Sequence, residues 1–248
     1  MQSLARVFLF LLLLLSWTAS TYSQTQNKQE LAEAATDKAI RRFYDTLDFA
    51  DVYRKFYVSN ANLRKAEVEI VMQNMIWSGD HFAKPEQLES RNIDFDSMER
   101  AYIAMSNFNW LLAASGDTYE GDEEKFRHEG ETIWDKYMTP LNDKTSWPIL
   151  TSKQLDEKIT ASFNAIANFC RDHVVRSNFD TPEFRRRQQN IKESRAPDPI
   201  DKLKELFTPA GMKNSDTIYL VRRGRFYFYI IEENGEFRVL SWNNRIQD

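Results

Sequence analysis

Residues 216–242 read Asp-Thr-Ile-Tyr-Leu-Val-Arg-Arg-Gly-Arg-Phe-Tyr-Phe-Tyr-Ile-Ile-Glu-Glu-Asn-Gly-Glu-Phe-Arg-Val-Leu-Ser-Trp. Three runs rich in β-branched and aromatic residues are broken at Arg223-Gly224 and at Asn234-Gly235, which predicts a three-stranded antiparallel β-meander. A sheet this apolar has to be covered in water, and the 200 or so residues before it carry mainly helical periodicity. The expected fold class is therefore α+β, a helix-dominated body with a C-terminal three-stranded antiparallel meander.

If each break is a two-residue loop, the register follows. Asn234-Gly235 pairs Ile230 with Val239, Tyr229 with Leu240 and Tyr227 with Trp242. Arg223-Gly224 pairs Val221 with Phe226, Leu220 with Tyr227 and Ile218 with Tyr229. One face then holds Val221, Phe226, Phe228, Ile230 and Val239, and the other holds Leu220, Tyr227, Tyr229, Leu240 and Trp242. Neither alternates apolar with polar as a half-solvated sheet does, so both require cover. The phenylalanine face suits a dry core. The second face offers two phenols and an indole N–H, groups that want hydrogen-bond partners. Tyr227, Tyr229 and Trp242 are thus the candidate ligand- or partner-facing residues, with the chain's own helices as the alternative cover.

Upstream, the spacing of Leu31, Ala34, Ala35, Ala39, Phe43 and Leu47 predicts a helix from Lys28, continuing after a kink through Phe49, Val52, Tyr53 and Phe56. Leu63–Trp77 is a further helix. Asp94 can cap a segment Phe95–Ser115 that Gly116 would stop. Tyr119–Tyr137 begins acidic, as a helix dipole favours. Ser152–Ser177 carries a stripe of Leu155, Ile159, Phe163, Ile166, Cys170 and Val174. Thr181-Pro182 opens another helix, and Asp198-Pro199 a short one to Phe207. The expected organisation is a signal peptide over 1–23, a helical domain over 24–195, a packed connector with a short helix over 196–215, and the meander over 216–248.

Arg6, the apolar run Val7–Leu15 and the small residues up to Ser23 have the pattern of a secretory signal peptide. Nine apolar residues fall short of the ~20 that a spanning helix needs, so no membrane span is expected after cleavage at Ser23 or Ser20. The localisation implied is exported, periplasmic or extracellular. Cys170 is the only cysteine, so stability has to come from a core rather than an internal disulfide. No Asn-x-Ser/Thr acceptor occurs, which tilts the source toward a bacterial envelope. The net charge is −4, and −5 once Arg6 leaves (32 basic against 37 acidic residues), so nucleic acid is not an expected partner.

Motifs for chemistry are sparse. His128-Glu129 opens like a zinc-protease helix, but Thr132 stands where the second imidazole belongs. Cys170 and His173 are three apart on one helix, with Cys170 on the apolar stripe, which favours an inert buried thiol over a catalytic dyad. The acidic run Glu120–Glu124 lacks the ligand alternation of a calcium loop. Arg185-Arg186-Arg187 reads as a solvated helix face. No phosphate-cradling glycine loop or nucleophile elbow occurs, so no catalytic residue, metal or cofactor is expected.

Ala39-Ile40-Arg41-Arg42-Phe43-Tyr44-Asp45-Thr46-Leu47-Asp48 resembles the opening helix of NTF2-like cone proteins, and Phe226–Trp242 is similar to their closing strands. The resemblance covers about thirty residues at the two ends and departs in the long helical middle. It implies a curved sheet around a pocket and carries over no catalytic residue. Together these features point to an exported, non-catalytic module that binds a small molecule or an envelope protein. The alternative is an enzyme with a scattered active site in an NTF2-like pocket, in which a histidine would meet carboxylates beside the tyrosine-rich face.

Overall fold

The computed structural model describes residues 27–77, 94–137, 139, 153, 155–190 and 199–244. Residues 1–23, expected to be a signal peptide, His81 and residues 140–148 lie outside them. Helix α1 spans 27–46, followed by α2 (Phe49–Phe56), α3 (Ala61–Trp77), α4 (Phe95–Thr118) and α5 (Glu123–Tyr137). A π-helical turn, Leu155–Thr160, runs straight into α6 (Ala161–Asp172); α7 (Pro182–Asn190) and α8 (Ile200–Phe207) lead to strands β1 (Ile218–Arg223), β2 (Phe226–Glu233) and β3 (Glu236–Asn244). The strands form one antiparallel sheet in the order β1-β2-β3. The fold is α+β and helix-dominated, as the sequence predicts.

The break between α1 and α2 falls at Leu47, whose φ of 52° is uncommon for a residue with a Cβ. Its surroundings hold it there. Asp48 caps α2 through its carboxylate to the Ala50 N–H, and Asn107 accepts from the Phe49 N–H. Arg171 and Arg176 donate to the carbonyls of Leu47 and Asp45, two acceptors the ending helix leaves over. The buried stripe of α1 is Ala32, Thr36, Ala39, Phe43 and Leu47, while Leu31 is exposed. Gly116 does not end α4, which is anchored at both ends. Asp94 caps its start, and it continues to Thr118 because the segment beyond α6 binds its last turn: Val175 N–H donates to the Thr118 hydroxyl and Asn178 to the Thr118 carbonyl.

Both sheet turns follow from backbone sign. Asn234 and Gly235 have φ of 54° and 81°, the pattern of a type I′ turn, whereas Gly224 has φ 57° and Arg225 is not positive, the glycine-first pattern of type II′. The first loop is therefore Gly224-Arg225 rather than Arg223-Gly224. Arg223 pairs with Phe226, Val221 with Phe228, and Leu220 with Tyr229, a shift of two residues from the register expected. A two-residue shift keeps every β1 and β2 side chain on its face. The β2–β3 register agrees at Ile230–Val239, but an irregularity between Tyr229 and Ile230 pairs Tyr229 with Ser241 and Phe228 with Trp242. One extra residue on β3 reverses all that follows it, so Trp242 joins the phenylalanine face instead of the tyrosine face.

Each face is buried by a different set of helices. Phe228, Ile230 and Val239 meet α1, α2, α4 and α6 in the larger core, where Phe43, Phe49, Tyr102 and Leu111 are almost fully enclosed. Tyr227, Tyr229, Ile231 and Leu240 meet Leu63 of α3 and Leu203 and Phe207 of α8 in a second core. The β3 edge is covered as well. Tyr57 bridges to Val239 in parallel, and the Val58 N–H donates to the Val239 carbonyl at 3.0 Å. Glu233, at the end of β2, accepts from the Ser59 N–H and hydroxyl and from the Asn60 N–H.

Helix α3 has core on two sides, with Val68 and Met72 in the larger one and Leu63 in the second. Glu67 lies between them and is 2% exposed. Its Oε1 accepts from the Ser241 hydroxyl at 3.0 Å and the Tyr102 hydroxyl at 3.3 Å. Burial raises its pKa from the usual carboxylate value to about 8, against the opposing pull of those two donors. Folded chains thus keep a proton that unfolded chains release above the ordinary glutamate value near 4.5. Stability from this group is full below that value and is lost as pH rises to about 8, with a slope of at most ~1.4 kcal/mol per pH unit. In Glu67→Gln that slope should disappear between about pH 5 and 8, as read by urea unfolding at several pH values.

Candidate functional site

A cleft of about 290 Å³ opens where α1, the end of α4, α7 and the β1–β2 turn come together. Aromatic rings and alanines make the apolar part of its walls. Phe43, Trp110 and Phe226 form one side, with Trp110 edge-on to Phe43 at 5.0 Å and against Phe226 at 5.5 Å. Tyr44 and Phe184 form another, with Tyr44 stacked on Phe179 at 4.0 Å and 16°. Ala113 and Ala114 leave the floor open, since a longer side chain at either position would occupy the space between the rings. Trp110 is 3% exposed, and its indole N–H has no hydrogen-bond partner among the described residues.

Helical spacing brings the polar groups together. On α1, Asp37, Ile40, Arg41 and Tyr44 recur at three and four residues and face the cleft. Arg223 reaches across from β1 and grips Asp37 with two nitrogens, Nε at 2.6 Å and Nη2 at 3.2 Å, and also touches Glu33. Arg225, in the turn, binds Asp117 Oδ1 at 2.7 Å, and Gln188 of α7 donates to Asp117 Oδ2 at 2.6 Å. Arg187 donates to the Asp117 carbonyl, so this arginine, from a run expected to be a solvated face, binds an acceptor at the negative end of α4. The Tyr44 phenol is pushed well above its usual pKa by burial first and by the charges of Asp117 and Asp180 next, with Arg225 opposing. It stays protonated.

Two lining charges are uncommitted. Arg41 and Asp180 make no hydrogen bond or ion pair among the described residues, and both are exposed. Asp180 sits at φ 66°, a conformation that aspartate tolerates better than most residues. Thr181 follows it as the cap of α7, accepting from the Phe184 N–H at 3.1 Å.

The residues singled out from sequence lie elsewhere. Tyr227 and Tyr229 are 5% and 1% exposed beneath α3 and α8, and Trp242 is on the opposite face against Phe49, Trp110 and Phe226. The three do not form one surface, because the β3 irregularity separates Trp242 from the tyrosines. None of them lines the cleft. His173 is held by Phe169, its Nδ1 2.8 Å from that residue's carbonyl and its ring 4.4 Å from the Phe169 ring, with Glu129 at 3.8 Å from Nε2. Burial pushes the Cys170 thiol up to about 12. His128 is exposed, and neither His128 nor His173 lines the cleft. Asp122, from the acidic run, caps α5.

No family model matches this chain, and neither the curated proteins nor the solved structures contain a match. The NTF2-like resemblance therefore rests on its two short end segments alone.

Asp117 is the hub of the cleft, at 10% side-chain exposure with Arg225 at 18%. Removing one partner of a buried pair strands the other charge, which costs about 3–5 kcal/mol. Asp117→Ala is expected to lower unfolding stability by about 3 kcal/mol, measured by chemical denaturation, and a loss below about 1 kcal/mol would show the pair to be solvated.

Proposed function

We propose that this chain is an exported, non-catalytic module of the cell envelope that holds a small molecule in the aromatic cleft. The observation that carries this reading is the cleft's construction. Its volume of about 290 Å³ is close to the lower end of ligand pockets, roughly 300–1,000 Å³, and its apolar rings surround a few convergent polar groups. Its walls are linked by two arginine–carboxylate pairs from separate elements, the mostly buried Arg225–Asp117 pair, which braces the sheet turn against α4 before any ligand enters, and the more exposed Arg223–Asp37 pair to α1.

Binding is favoured over catalysis by where the reactive side chains sit. His173 and Cys170 are engaged in aromatic and apolar packing outside the cleft lining. The enzyme alternative has no histidine–carboxylate pair in the cleft to support it among the described residues. Export rests on the basic start, short apolar run and small residues before Gln24. Among the described residues no helix is long and apolar enough to cross a membrane.

Indole, a neutral ring small enough for the cleft, tests the binding reading by saturation-transfer NMR. One saturable site is expected in the native chain, and Ala113→Leu, which extends a buried α4 side chain into the lining, should weaken it by about tenfold or more. Indole binding that is absent from the native chain, or untouched by Ala113→Leu, would remove the cleft as the site. Export is read separately. Expression of the full chain in a bacterial host should yield a periplasmic product whose N-terminus is Thr21 or Gln24, and an unprocessed cytoplasmic product would count against it.

A further inference from the structure

Resting on the cleft as the ligand site, we propose that its ligand is an aromatic zwitterion, a small apolar ring bearing both an amine and a carboxylate. The charges around the cleft divide into two groups. Asp37 has both oxygens taken by Arg223, and Asp117 has one taken by Arg225 and the other by Gln188. These pairs hold α1, α4, α7 and the sheet turn in place, and they are complete without a ligand.

What remains on the lining is one cation and one anion, Arg41 and Asp180, neither of which has an ion-pair partner among the described residues. A purely anionic ligand would satisfy Arg41 and be repelled by Asp180. A purely cationic one would do the reverse, and a neutral ring would use neither. Only a molecule carrying both charges meets both groups. The Tyr44 hydroxyl stands within electrostatic reach of Asp180, keeps its proton, and makes no hydrogen bond among the described residues, so it adds a donor and an acceptor for the ligand's polar end. The ring between Phe43, Trp110, Phe184 and Phe226 then takes the apolar body, with edge-to-face and offset contacts available on both sides.

Isothermal titration calorimetry decides this with L-phenylalanine and glycyl-L-phenylalanine, which differ in charge separation, against phenethylamine, phenylpropionate and indole. One of the two zwitterions should bind about fivefold more tightly than either singly charged analogue, the upper scale of one solvated ion pair. That advantage should vanish in Arg41→Ala and in Asp180→Asn. Asparagine tolerates the positive φ at 180, so the second variant removes charge without adding strain, and near-UV circular dichroism follows the fold of both. The proposal fails if a singly charged analogue equals the better zwitterion, or if the advantage survives both substitutions. Indole separates the two levels: indole binding without a zwitterion advantage overturns this ligand class alone, and loss of indole binding as well overturns the cleft.

Discussion

A meander with two apolar faces is the constraint from which the rest of the architecture follows. Val221, Phe228, Ile230 and Val239 lie on one side and Tyr227, Tyr229, Ile231 and Leu240 on the other, and all eight are buried. Each buried large apolar side chain contributes about 1.5–3 kcal/mol relative to exposure, so leaving the four on either face in water would cost an amount comparable to the whole net stability of a typical domain. The chain answers with two separate layers. Helices α1, α2, α4 and α6 enclose the phenylalanine side, while α3 and α8 close over the tyrosine side. Helix α3 serves both cores, and this is why a glutamate on it is buried deeply enough to stay protonated at neutral pH.

The cleft is a by-product of that layering. Near the β1–β2 turn the sheet runs past the region where its first face is fully packed, and Trp110 meets both Phe226 and Phe43 beside a gap at Ala113 and Ala114. Ion pairs rather than apolar packing close this end. The two arginines reach different helices because Arg223 is the last residue of β1 and extends to α1, whereas Arg225 lies in the turn itself and extends to the end of α4. A hairpin with the glycine second, as the Arg223-Gly224 reading required, would have placed Arg223 in the turn and broken this arrangement.

Much of the fold was legible because it depends on density and period. The β-branched and aromatic runs marked all three strands, Asn234-Gly235 marked its turn, and Thr181-Pro182 marked the start of α7. The first turn was not legible because Arg-Gly and Gly-Arg both fit a two-residue loop, and only the pairing of Arg223 with Phe226 separates them. The irregularity opposite Tyr229 and Ile230 carries no glycine or proline, so nothing local announced that Trp242 would change faces. The cleft was less legible still. Its residues come from 37–44, 110–117, 180–188 and 223–226, stretches that carry no shared motif and converge only after the helices pack. The visible traces were the Asp37, Arg41 and Tyr44 spacing on α1 and the paired alanines of α4, both of which also suit an ordinary amphipathic surface.

Charges that look alike in sequence have separated into two roles by their surroundings. Asp117 is buried and Arg225 mostly so, and they are hydrogen-bonded to each other, a state in which a charge without its partner is costly, so they act as a brace. Arg41 and Asp180 are exposed, where water compensates an absent partner at little cost, so they can wait unpaired without destabilising the fold. A binding site needs both kinds. The braced pair fixes the sheet turn against α4, which limits the ordering that a ligand must impose, and the free charges supply interactions that are available only to a molecule presenting the complementary charges. Placing the brace at the buried end and the free charges at the open rim lets rigidity and recognition reside in different residues, and each can be altered without the other.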